Sequence, residues 1–281
     1  MSRLRRKPGT KEWLAERENL VVLNPREWRG RWRELFGNDK PLHVELGMGK
    51  GRFISLMSVE HPEWNFIGID MYDELIRKSA VKAEEARAEW SARSGGAAPP
   101  DNLRLVLGNV EWVEEMFAPG EVERIYLNFG DPWPKKRHAH RRLTHPDYLE
   151  KYKVILNENG EIHFKTDSRS LFEFSLNAFA EMDLMMRNIS LDLHGEGIAP
   201  NTIMTEYEMK FTEQGEPIYR VEVVVGERAK EQRRAAAAEK WAADSRRRRK
   251  AAAAARTAAA EVDAESAAAD GAGSAGAPAA G

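Results

Sequence analysis

The chain has 281 residues, no cysteine, and 43 basic against 45 acidic residues, which gives a formal net charge of -2. This length suits one large domain with a sizeable core, and the lack of cysteine excludes disulfide frameworks, thiolate metal sites and cysteine nucleophiles. No run approaches the roughly 20 apolar residues that span a bilayer, and the basic start lacks the apolar core of a signal peptide. We therefore expect a cytoplasmic protein with no membrane partner, in which any polyanion is held by a local basic patch.

Residues 1–40 predict a basic arm and a helix that packs on the core. Pro25 marks the start of that helix, which carries Trp32 and Phe36, and Gly37 can end it. From residue 41 onward, apolar strand-like runs alternate with helical patterns. The runs cover residues 41–46, 64–69, 103–107, 124–129 and 161–165, and the main helical patterns cover residues 52–60, 73–90, 146–156 and 168–180. This alternation predicts a mostly parallel sheet with helices on both faces.

Two further strand-like runs, residues 184–193 and 218–225, lack a clear long helix between them. They predict an antiparallel end to the sheet. The α/β domain then spans residues 41–227 and has seven strands, of which the last is antiparallel. Residues 91–101, SARSGGAAPPD, predict an exposed loop between a helix and a strand.

The composition changes after residue 227. Residues 228–281 carry about 11 basic and 7 acidic residues and are almost half alanine, which leaves the rest of the chain with a net charge of about -6. Alanine and arginine permit a transient helix, but apart from Trp241 and Val262 there is nothing apolar to bury. We expect a mostly disordered tail, either filler with weak nonspecific RNA affinity or an aid to RNA binding.

Ligands of such sheets bind beyond the carboxyl ends of the strands, so the residues after each run matter most. The first run continues as ELGMGKG, in which Gly47, Gly49 and Gly51 let a ligand approach the backbone closely. Their GxGxG spacing differs from the GxGxxG of dinucleotide binders, and Glu45 would repel a pyrophosphate but attract a cationic group. An ordinary tight turn is the alternative interpretation of this loop.

The next two strand ends add polar side chains. Asp70 lies about 25 residues after Glu45, where a carboxylate can accept hydrogen bonds from both hydroxyls of a ribose. Asn109 follows the third run, where its amide can meet a base edge. Together with Glu45, these residues suggest a nucleoside that carries positive charge and no phosphate. S-adenosylmethionine matches that description.

Residues 126–142, YLNFGDPWPKKRHAHRR, form the most specific segment of the chain. Asp131 stands at a strand end, and two prolines stiffen the loop around Trp133, which suits the holding of a base. The following residues, 135–142, concentrate about five formal charges on an otherwise acidic body. An RNA contact and a merely solvated face are the two interpretations of this cluster, and Trp133 either stacks on a base or packs the loop.

Carboxylates also follow the later strands. Asp167 comes after the run IHFKT at the same edge, where it is either a ligand contact or a helix N-cap beside Ser168. Glu206 and Glu208 flank Tyr207 in a loop that we expect to be extended, so that both carboxylates face one ligand unless they are only solvated. The histidines are dispersed with no metal-ligand spacing, and we expect no metal.

The sequence closely resembles the bacterial tRNA (guanine-N7-)-methyltransferases over residues 42–225. The resemblance rests on VELGMGKGRF, GID, GNV, NFGDPWPKKRH, RRL, FKTDSRSLFEFSL and TEYEMKF with GEPIYR, of which DPWPKKRH and TEYE are the most specific. It implies a Rossmann-like class I methyltransferase that transfers a methyl group from S-adenosylmethionine to N7 of guanine 46 in the tRNA variable loop and releases S-adenosylhomocysteine. Asp70 stands where glutamate is commoner in the family, and Gly130 where serine is common.

The resemblance also implies roles for individual residues and leaves open whether the protein is a monomer or a homodimer. Asp131 would be the catalytic carboxylate. The cofactor contacts would be Glu45, Gly47, Gly49, Asp70, Asn109 and Asp131. The substrate contacts would be Lys135, Asp167, Thr205, Glu206, Tyr207 and Glu208, and the RNA contacts would be Arg137, His138, Ala139, His140, Arg141 and Arg142.

Two other functions share some of these features. An NAD(P)-dependent oxidoreductase would use the same kind of sheet, but it would require GxGxxG at the first turn. A noncatalytic RNA-binding module would explain the basic segments, but it would not explain why carboxylates end successive strands. The sequence therefore favours the methyltransferase.

Overall fold

The computed structural model describes residues 8–272, and it describes side chains for residues 8–255. The basic start of the predicted arm, residues 1–7, lies outside the described residues. Short 3-10 helices lie at Pro25–Trp28, Val110–Trp112 and Lys136–Arg141. The α-helices are α1 Thr10–Ala15, α2 Trp32–Phe36, α3 Arg52–Glu60, α4 Asp73–Arg93, α5 Val113–Met116, α6 Pro146–Ile155, α7 Arg169–Glu181, α8 Glu206–Glu213 and α9 Glu227–Ala272. The strands are β1 Val21–Val22, β2 Leu42–Leu46, β3 Asn65–Asp70, β4 Leu103–Leu107, β5 Val122–Asn128, β6 Leu156–Thr166, β7 Met185–Ser190 and β8 Tyr219–Val224.

The strands form one sheet in the order β1-β4-β3-β2-β5-β6-β8-β7. Neighbours from β1 to β6 pair in parallel, whereas β8 runs antiparallel to both β6 and β7. This confirms the α/β fold with an antiparallel last strand. The sheet has eight strands rather than seven because β1 pairs with β4, and a two-residue strand leaves no readable pattern in a sequence.

Helices cover both faces of the sheet, as predicted. Alternate residues of a strand point to opposite faces, so Phe66 and Ile67 of β3 belong to two different apolar clusters. Because both faces are buried, polar groups that must reach a ligand are confined to the strand ends. The helices contribute Leu14, Ile54 and Ile76 to the cluster of Phe66, and Trp32, Tyr152 and Phe172 to the cluster of Ile67.

The single helix predicted before residue 37 is in fact two short helices. A 3-10 helix ends at Trp28 and α2 begins at Trp32, with Gly30 between them at a φ of +77°. A positive φ interrupts a right-handed helix, and glycine adopts it without a steric penalty. Between β7 and β8, where the sequence gives no clear long helix, the structure has the eight residues of α8.

The two edge strands of the sheet are short or irregular. At one edge, β1 has only two residues. At the other, the register of β7 with β8 shifts between Arg187 and Ser190, and Asn188 adopts a φ of +49°. Such a bulge bends a strand and interrupts its ladder of hydrogen bonds. Neither edge is a long, regular strand.

The chain divides into two compact units, Met1–Lys230 and Glu231–Gly281. In the first unit Ala229 is buried and Arg228 pairs with Glu158 at 2.7 Å, so the packed domain ends near residue 230 rather than 227. The second unit is helical up to Ala272, where we expected a mostly disordered tail, because alanine and arginine are strong helix formers. Of the side chains in residues 231–255, all are exposed except Asp244, which is half-buried.

No helix within residues 8–272 combines the length and the apolar character needed to cross a membrane. The 46-residue helix α9 is long enough, but alanine, arginine and charged residues make up most of it. Its length therefore reflects helix propensity rather than apolar burial.

Truncation after Lys230 should leave the first unit as stable as the full chain, because residues 231–255 contribute exposed side chains and almost no apolar burial. We expect the midpoint of thermal unfolding to change by less than about 2 °C. As a control, Val223→Asp in the truncated chain should unfold it, because Val223 is fully buried in β8. A truncated chain that melts far below the full chain would place residues beyond 230 in the packed domain.

Candidate active site

Five parallel strands bring their carboxyl ends to one edge of the sheet. In the order β4-β3-β2-β5-β6, the residues at or just beyond these ends are Asn109, Asp70, the glycine loop 47–51, Asp131 and Asp167. Glu45 lies inside β2, one residue before its end. The structure thus places the polar residues of successive strand ends along one edge, where ligands of such sheets bind.

The glycine loop is a tight turn with three left-handed glycines, and Asp70 holds it in place through a hydrogen bond. Gly47, Gly49 and Gly51 have φ values of +75°, +59° and +77°, which side chains with a Cβ rarely adopt. A Cβ on Gly51 would lie 2.5 Å from the Cβ of Ser79, so α4 packs directly against this turn. The backbone N–H of Gly49 donates to Oδ2 of Asp70 at 3.1 Å.

Asp70 is buried, and its carboxylate accepts backbone hydrogen bonds at both oxygens. The N–H of Tyr72 donates to Oδ1 at 3.1 Å, and the N–H of Gly49 donates to Oδ2. Burial nevertheless raises the pKa of Asp70 to about 6. The carboxylate therefore orders the loop, and its remaining lone pairs are available to hydroxyl donors.

Glu45 is deeply buried at this edge, with 1% of its surface exposed. The amide of Asn128 donates to its Oε1 at 2.9 Å, but Oε2 is buried with no hydrogen-bond partner. Burial raises the pKa of Glu45 to about 8, although the Asn128 hydrogen bond and the charge of Lys165 lower it. A buried acceptor without a donor fits a ligand that brings a positive group or an N–H.

Thr205 and Glu208 form the start of α8 rather than an extended segment. Thr205 is the N-cap, its Oγ1 accepts from the N–H of Glu208 at 2.9 Å, and Glu208 closes a capping box. The expectation of an extended segment, in which the alternate residues Glu206 and Glu208 point the same way, is therefore wrong. A threonine three residues before a glutamate favours a helix start, because each satisfies a free N–H of the other.

The carboxylate of Glu208 is fully buried between the side chains of Lys165 and His194. Lys165 donates from Nζ to Oε2 at 2.5 Å, and Nε2 of His194 lies 3.0 Å from Oε1. Glu208 thus joins α8 to β6 and to the segment after β7. Sequence reasoning did not single out Lys165 or His194, because only the folded chain brings them to Glu208.

Glu206 and Tyr207 lie on the same first turn of α8 with different surroundings. Oε1 of Glu206 is buried without a hydrogen-bond partner, whereas about half of Tyr207 is exposed. The ring of Tyr207 stacks on Phe211 at 6.3 Å, and Phe211 stacks on Phe129 at 6.2 Å. This ladder of three rings connects the end of β5 to the surface beside Glu206.

The loop that carries Asp131 has an unusual backbone. Phe129 and Trp133 adopt φ values of +52° and +41°, which cost energy for residues other than glycine. Most of the Asp131 side chain is exposed to solvent. The surrounding protein still removes part of the water around its carboxyl group, which raises the pKa of Asp131. The surroundings must hold this loop in shape, because its own residues do not favour it.

Arg142 supplies that support and is not a surface residue. Its guanidinium donates from Nε to the carbonyl of Pro132 and from Nη2 to that of Trp133, both at 3.1 Å. It also lies 4.3 Å from the ring centre of Phe174, and only 8% of it is exposed. The structure therefore speaks against Arg142 as an RNA contact. A run of basic residues in a sequence does not reveal which member turns inward.

The other residues of the basic loop, 135–141, lie at the surface. Lys135, Arg137, His140 and Arg141 are exposed, whereas His138 and Ala139 are half-buried. The guanidinium of Arg141 lies 4.9 Å from the ring centre of Trp133, which is half-buried. Trp133 thus packs within the loop and also forms part of its surface.

The side chains of Asp167 and Asn109 differ in whether a helix cap already occupies their oxygen atoms. Ser168, not Asp167, caps α7, because its Oγ accepts from the N–H of Leu171 at 3.3 Å. The half-buried Asp167 carboxylate has no capping role, and burial raises its pKa. Asn109 caps a 3-10 helix by accepting from the N–H of Glu111 at 3.0 Å, so its oxygen is already engaged.

Within the described residues, one group of acidic and histidine side chains has the spacing of metal ligands: Glu161, His163 and Glu222. Arg187 donates to both carboxylate oxygens of Glu161 at 3.0 Å and lies 2.7 Å from Glu222. These oxygens are thus engaged by a guanidinium, and the group forms an ion-pair network on β6, β7 and β8.

The chain matches known methyltransferases over most of its length. A family model described as a putative methyltransferase covers residues 39–221. The tRNA (guanine-N(7)-)-methyltransferase of Bacillus subtilis (strain 168) is 44% identical over 79% of this chain and 98% of that protein. The protein of the same name from Listeria monocytogenes serotype 4b (strain F2365) is 49% identical over 78% of this chain and 97% of its own.

The fold also has a counterpart among solved structures. An antibiotic-related methyltransferase aligns with a TM-score of 0.50 and 16% identity over 69% of this chain and 92% of its own, a likeness that concerns the fold alone. The two curated relatives are far more similar in sequence and nearly fully covered. On this evidence of sequence, together with the glycine loop and the strand-end carboxylates, the chain belongs to the tRNA (guanine-N(7)-)-methyltransferase family.

Proposed function

We propose that this protein methylates N7 of guanine 46 in the variable loop of tRNA, with S-adenosylmethionine as the methyl donor. Membership of the tRNA (guanine-N(7)-)-methyltransferase family supports the reaction, methyl transfer to N7 of guanine in tRNA. The DPWPKKRH and TEYE blocks, which are the most specific part of the resemblance to the bacterial enzymes, support position 46. We infer a cytoplasmic location because the chain has no cysteine and its substrate is tRNA.

The residues at the carboxyl edge fit S-adenosylmethionine. The buried Oε2 of Glu45 has no donor, which suits the positive end of the ligand, and the left-handed glycines leave room for close approach to the backbone. Asp70 keeps lone pairs for the ribose hydroxyls. The residues that we propose to hold the cofactor are Glu45, Gly47, Gly49, Asp70, Asn109 and Asp131.

S-adenosylmethionine supplies a methyl group on a positively charged sulfur, and transfer to N7 leaves neutral S-adenosylhomocysteine and a cationic 7-methylguanine. Guanine N7 has a free lone pair, so no proton has to be removed first. Catalysis then depends on positioning and on charge. Asp131 extends from a constrained loop at the strand end, and we assign it orientation of the base and stabilisation of the positive charge.

Recognition of guanine is assigned to the first turn of α8 and its neighbours. The buried Oε1 of Glu206 has no donor, and guanine offers N1–H and an amino group that adenine does not present in that pattern. Glu208 acts by holding Lys165, and Tyr207 offers an exposed ring for stacking. Lys135 and Asp167 complete the proposed substrate contacts together with Thr205, which caps the helix.

The experiment that tests the proposal is a methylation assay. Purified protein is incubated with labelled S-adenosylmethionine and unmodified tRNA, and the methylated nucleotide is located by nuclease digestion and mass spectrometry. We expect 7-methylguanine at position 46, and no transfer to a tRNA in which that guanine is replaced by adenine. Methylation at another atom or another position would overturn the assignment.

Asp131→Ala should lower the rate of methyl transfer by more than about tenfold, because it removes a negative charge beside the reacting atoms. Asp131→Asn, which keeps the size and loses the charge, should be nearly as slow. Both variants should melt like the parent, because Asp131 is exposed. Transfer at close to the parental rate by either variant would remove Asp131 from the catalytic role.

Glu45→Gln should change how stability depends on pH in the cofactor-free protein. The pKa of Glu45 is raised from 4.5 to about 8, so its stabilising contribution is present below pH 4.5 and is lost as the pH rises to 8. Glutamine does not titrate, and other shifted groups such as Asp70 and His43 are common to both proteins. We therefore expect the melting temperature of the variant to rise relative to the parent between pH 5 and pH 8.

The same variant should bind S-adenosylmethionine more weakly than the parent at pH 8 and above, because it lacks the carboxylate charge. Isothermal titration calorimetry at several pH values measures this difference. A melting difference that is constant with pH, or an affinity equal to that of the parent, would contradict the assignment of Glu45.

Replacement of Arg137 and Arg141 by alanine should weaken tRNA binding and reduce its salt dependence, because each lost phosphate contact removes roughly one released counterion. Stability should not change. Arg142→Ala should instead destabilise the fold by about 1–3 kcal/mol, because it removes two hydrogen bonds to the Asp131 loop. Filter binding at several salt concentrations and thermal melts separate the two effects, and an unchanged salt slope in the double variant would leave the loop as a solvated surface.

A further inference from the structure

A second basic surface lies beside the glycine loop, away from residues 135–142. It is a cavity of about 220 Å³, which we call the basic pocket. Lys50 of the glycine loop forms one side, and one face of α4 forms the rest. The lining residues are Lys50, Arg77, Lys78, Val81, Lys82 and Glu85.

The charges of the basic pocket are only partly neutralised. Arg77 lies 3.6 Å from the buried Glu74, and Lys82 lies 3.4 Å from Glu85. Lys50 and Lys78 form no ion pair with any carboxylate in the part of the chain that the structure describes. Four cations thus face one cavity that contains a single carboxylate, on a body whose net charge is about -6.

Two of these cations repel each other along the helix. Residues 77, 78, 81, 82 and 85 follow the spacing that places side chains on one face of a helix. Lys78 and Lys82 are four residues apart, and like charges at that spacing destabilise a helix by a few tenths of a kcal/mol. An anion in the pocket would remove this repulsion.

The basic pocket and the basic loop belong to the same edge of the sheet. Lys50 follows β2, and α4 begins three residues after the end of β3. The basic loop follows β5, which is the other neighbour of β2. A polyanion that contacts both surfaces would therefore pass the strand ends that carry Glu45 and Asp131.

We propose that the basic pocket binds a backbone phosphate of the tRNA, as a second contact besides the basic loop. This inference rests on the proposed function for the identity of the RNA. S-adenosylmethionine has no phosphate, so the cofactor does not account for four converging cations. A single lysine pair and a phosphate form a charge-assisted contact that positions the RNA without reading its sequence.

The test compares two double variants that remove the same charge. Lys78→Ala with Lys82→Ala removes the pocket lysines. Lys40→Ala with Lys153→Ala is the control. Lys40 precedes β2 and Lys153 lies in the last turn of α6, so both are near the amino ends of strands. Lys153 pairs with Glu150 at 3.1 Å, as Lys82 does with Glu85. Affinity for unmodified tRNA is measured by filter binding at several salt concentrations.

We expect the pocket variant to lose about tenfold in tRNA affinity and to lower the magnitude of the slope of log K against log salt by about 0.8, since one phosphate contact contributes roughly 0.7–0.9. The control should match the parent, and the affinity of both variants for S-adenosylmethionine should be unchanged. An unchanged slope in the pocket variant, or an equal fall in the control, would overturn the inference. A parent that binds inorganic phosphate through Lys78 and Lys82 with no effect of these residues on tRNA binding would overturn it as well.

The outcomes are distinguishable from failure of the proposed function. The location of the methyl group on tRNA tests the reaction and uses the parent alone. The salt slopes test the pocket and require no methyl transfer. A parent that methylates guanine 46 while the pocket variant keeps its slope would overturn the basic pocket and leave the proposed function standing.

Discussion

Burial of the central strands on both faces is the constraint on which the site depends. Every residue of β2 and β3 is buried, so these strands have no face on which polar chemistry can meet solvent. Parallel pairing then brings their ends to a common edge, and the chain must turn there into helices. The chain leaves these strand ends through the glycine loop, through Asp70 and through the Asp131 loop. Each of these segments places polar groups at the carboxyl edge of the sheet.

Much of this arrangement follows from the sequence, because it depends on local patterns. The alternation of apolar runs and helical patterns predicts the sheet, and the strand ends identify Glu45, Asp70 and Asp131. The inward turn of Arg142 and the pairing of Glu208 with Lys165 and His194 depend on contacts between distant segments, which a single sequence does not display. The helix start at Thr205 is different, since its threonine and glutamate spacing is a readable capping signal that the expectation of an extended segment overlooked.

The loop from Phe129 to Trp133 combines strain with external support. Two residues adopt left-handed conformations that their side chains disfavour, and Arg142 fixes the loop by binding two of its carbonyls. Phe129 is further held by its stack on Phe211 of α8. The segment that carries the proposed catalytic carboxylate is thus fastened from both sides, which suits a reaction that requires placement more than proton transfer.

The irregular edges of the sheet affect how copies of this chain behave when they meet. A long, regular edge strand presents a row of free N–H and C=O groups on which another chain can continue the ladder. Here one edge ends in two residues of β1, and the other is broken by the bulge at Asn188. Although β7 exposes Ile189 at this edge, the interrupted ladder offers no continuous template. Both edges therefore disfavour edge-to-edge pairing between the sheets of two copies of this chain.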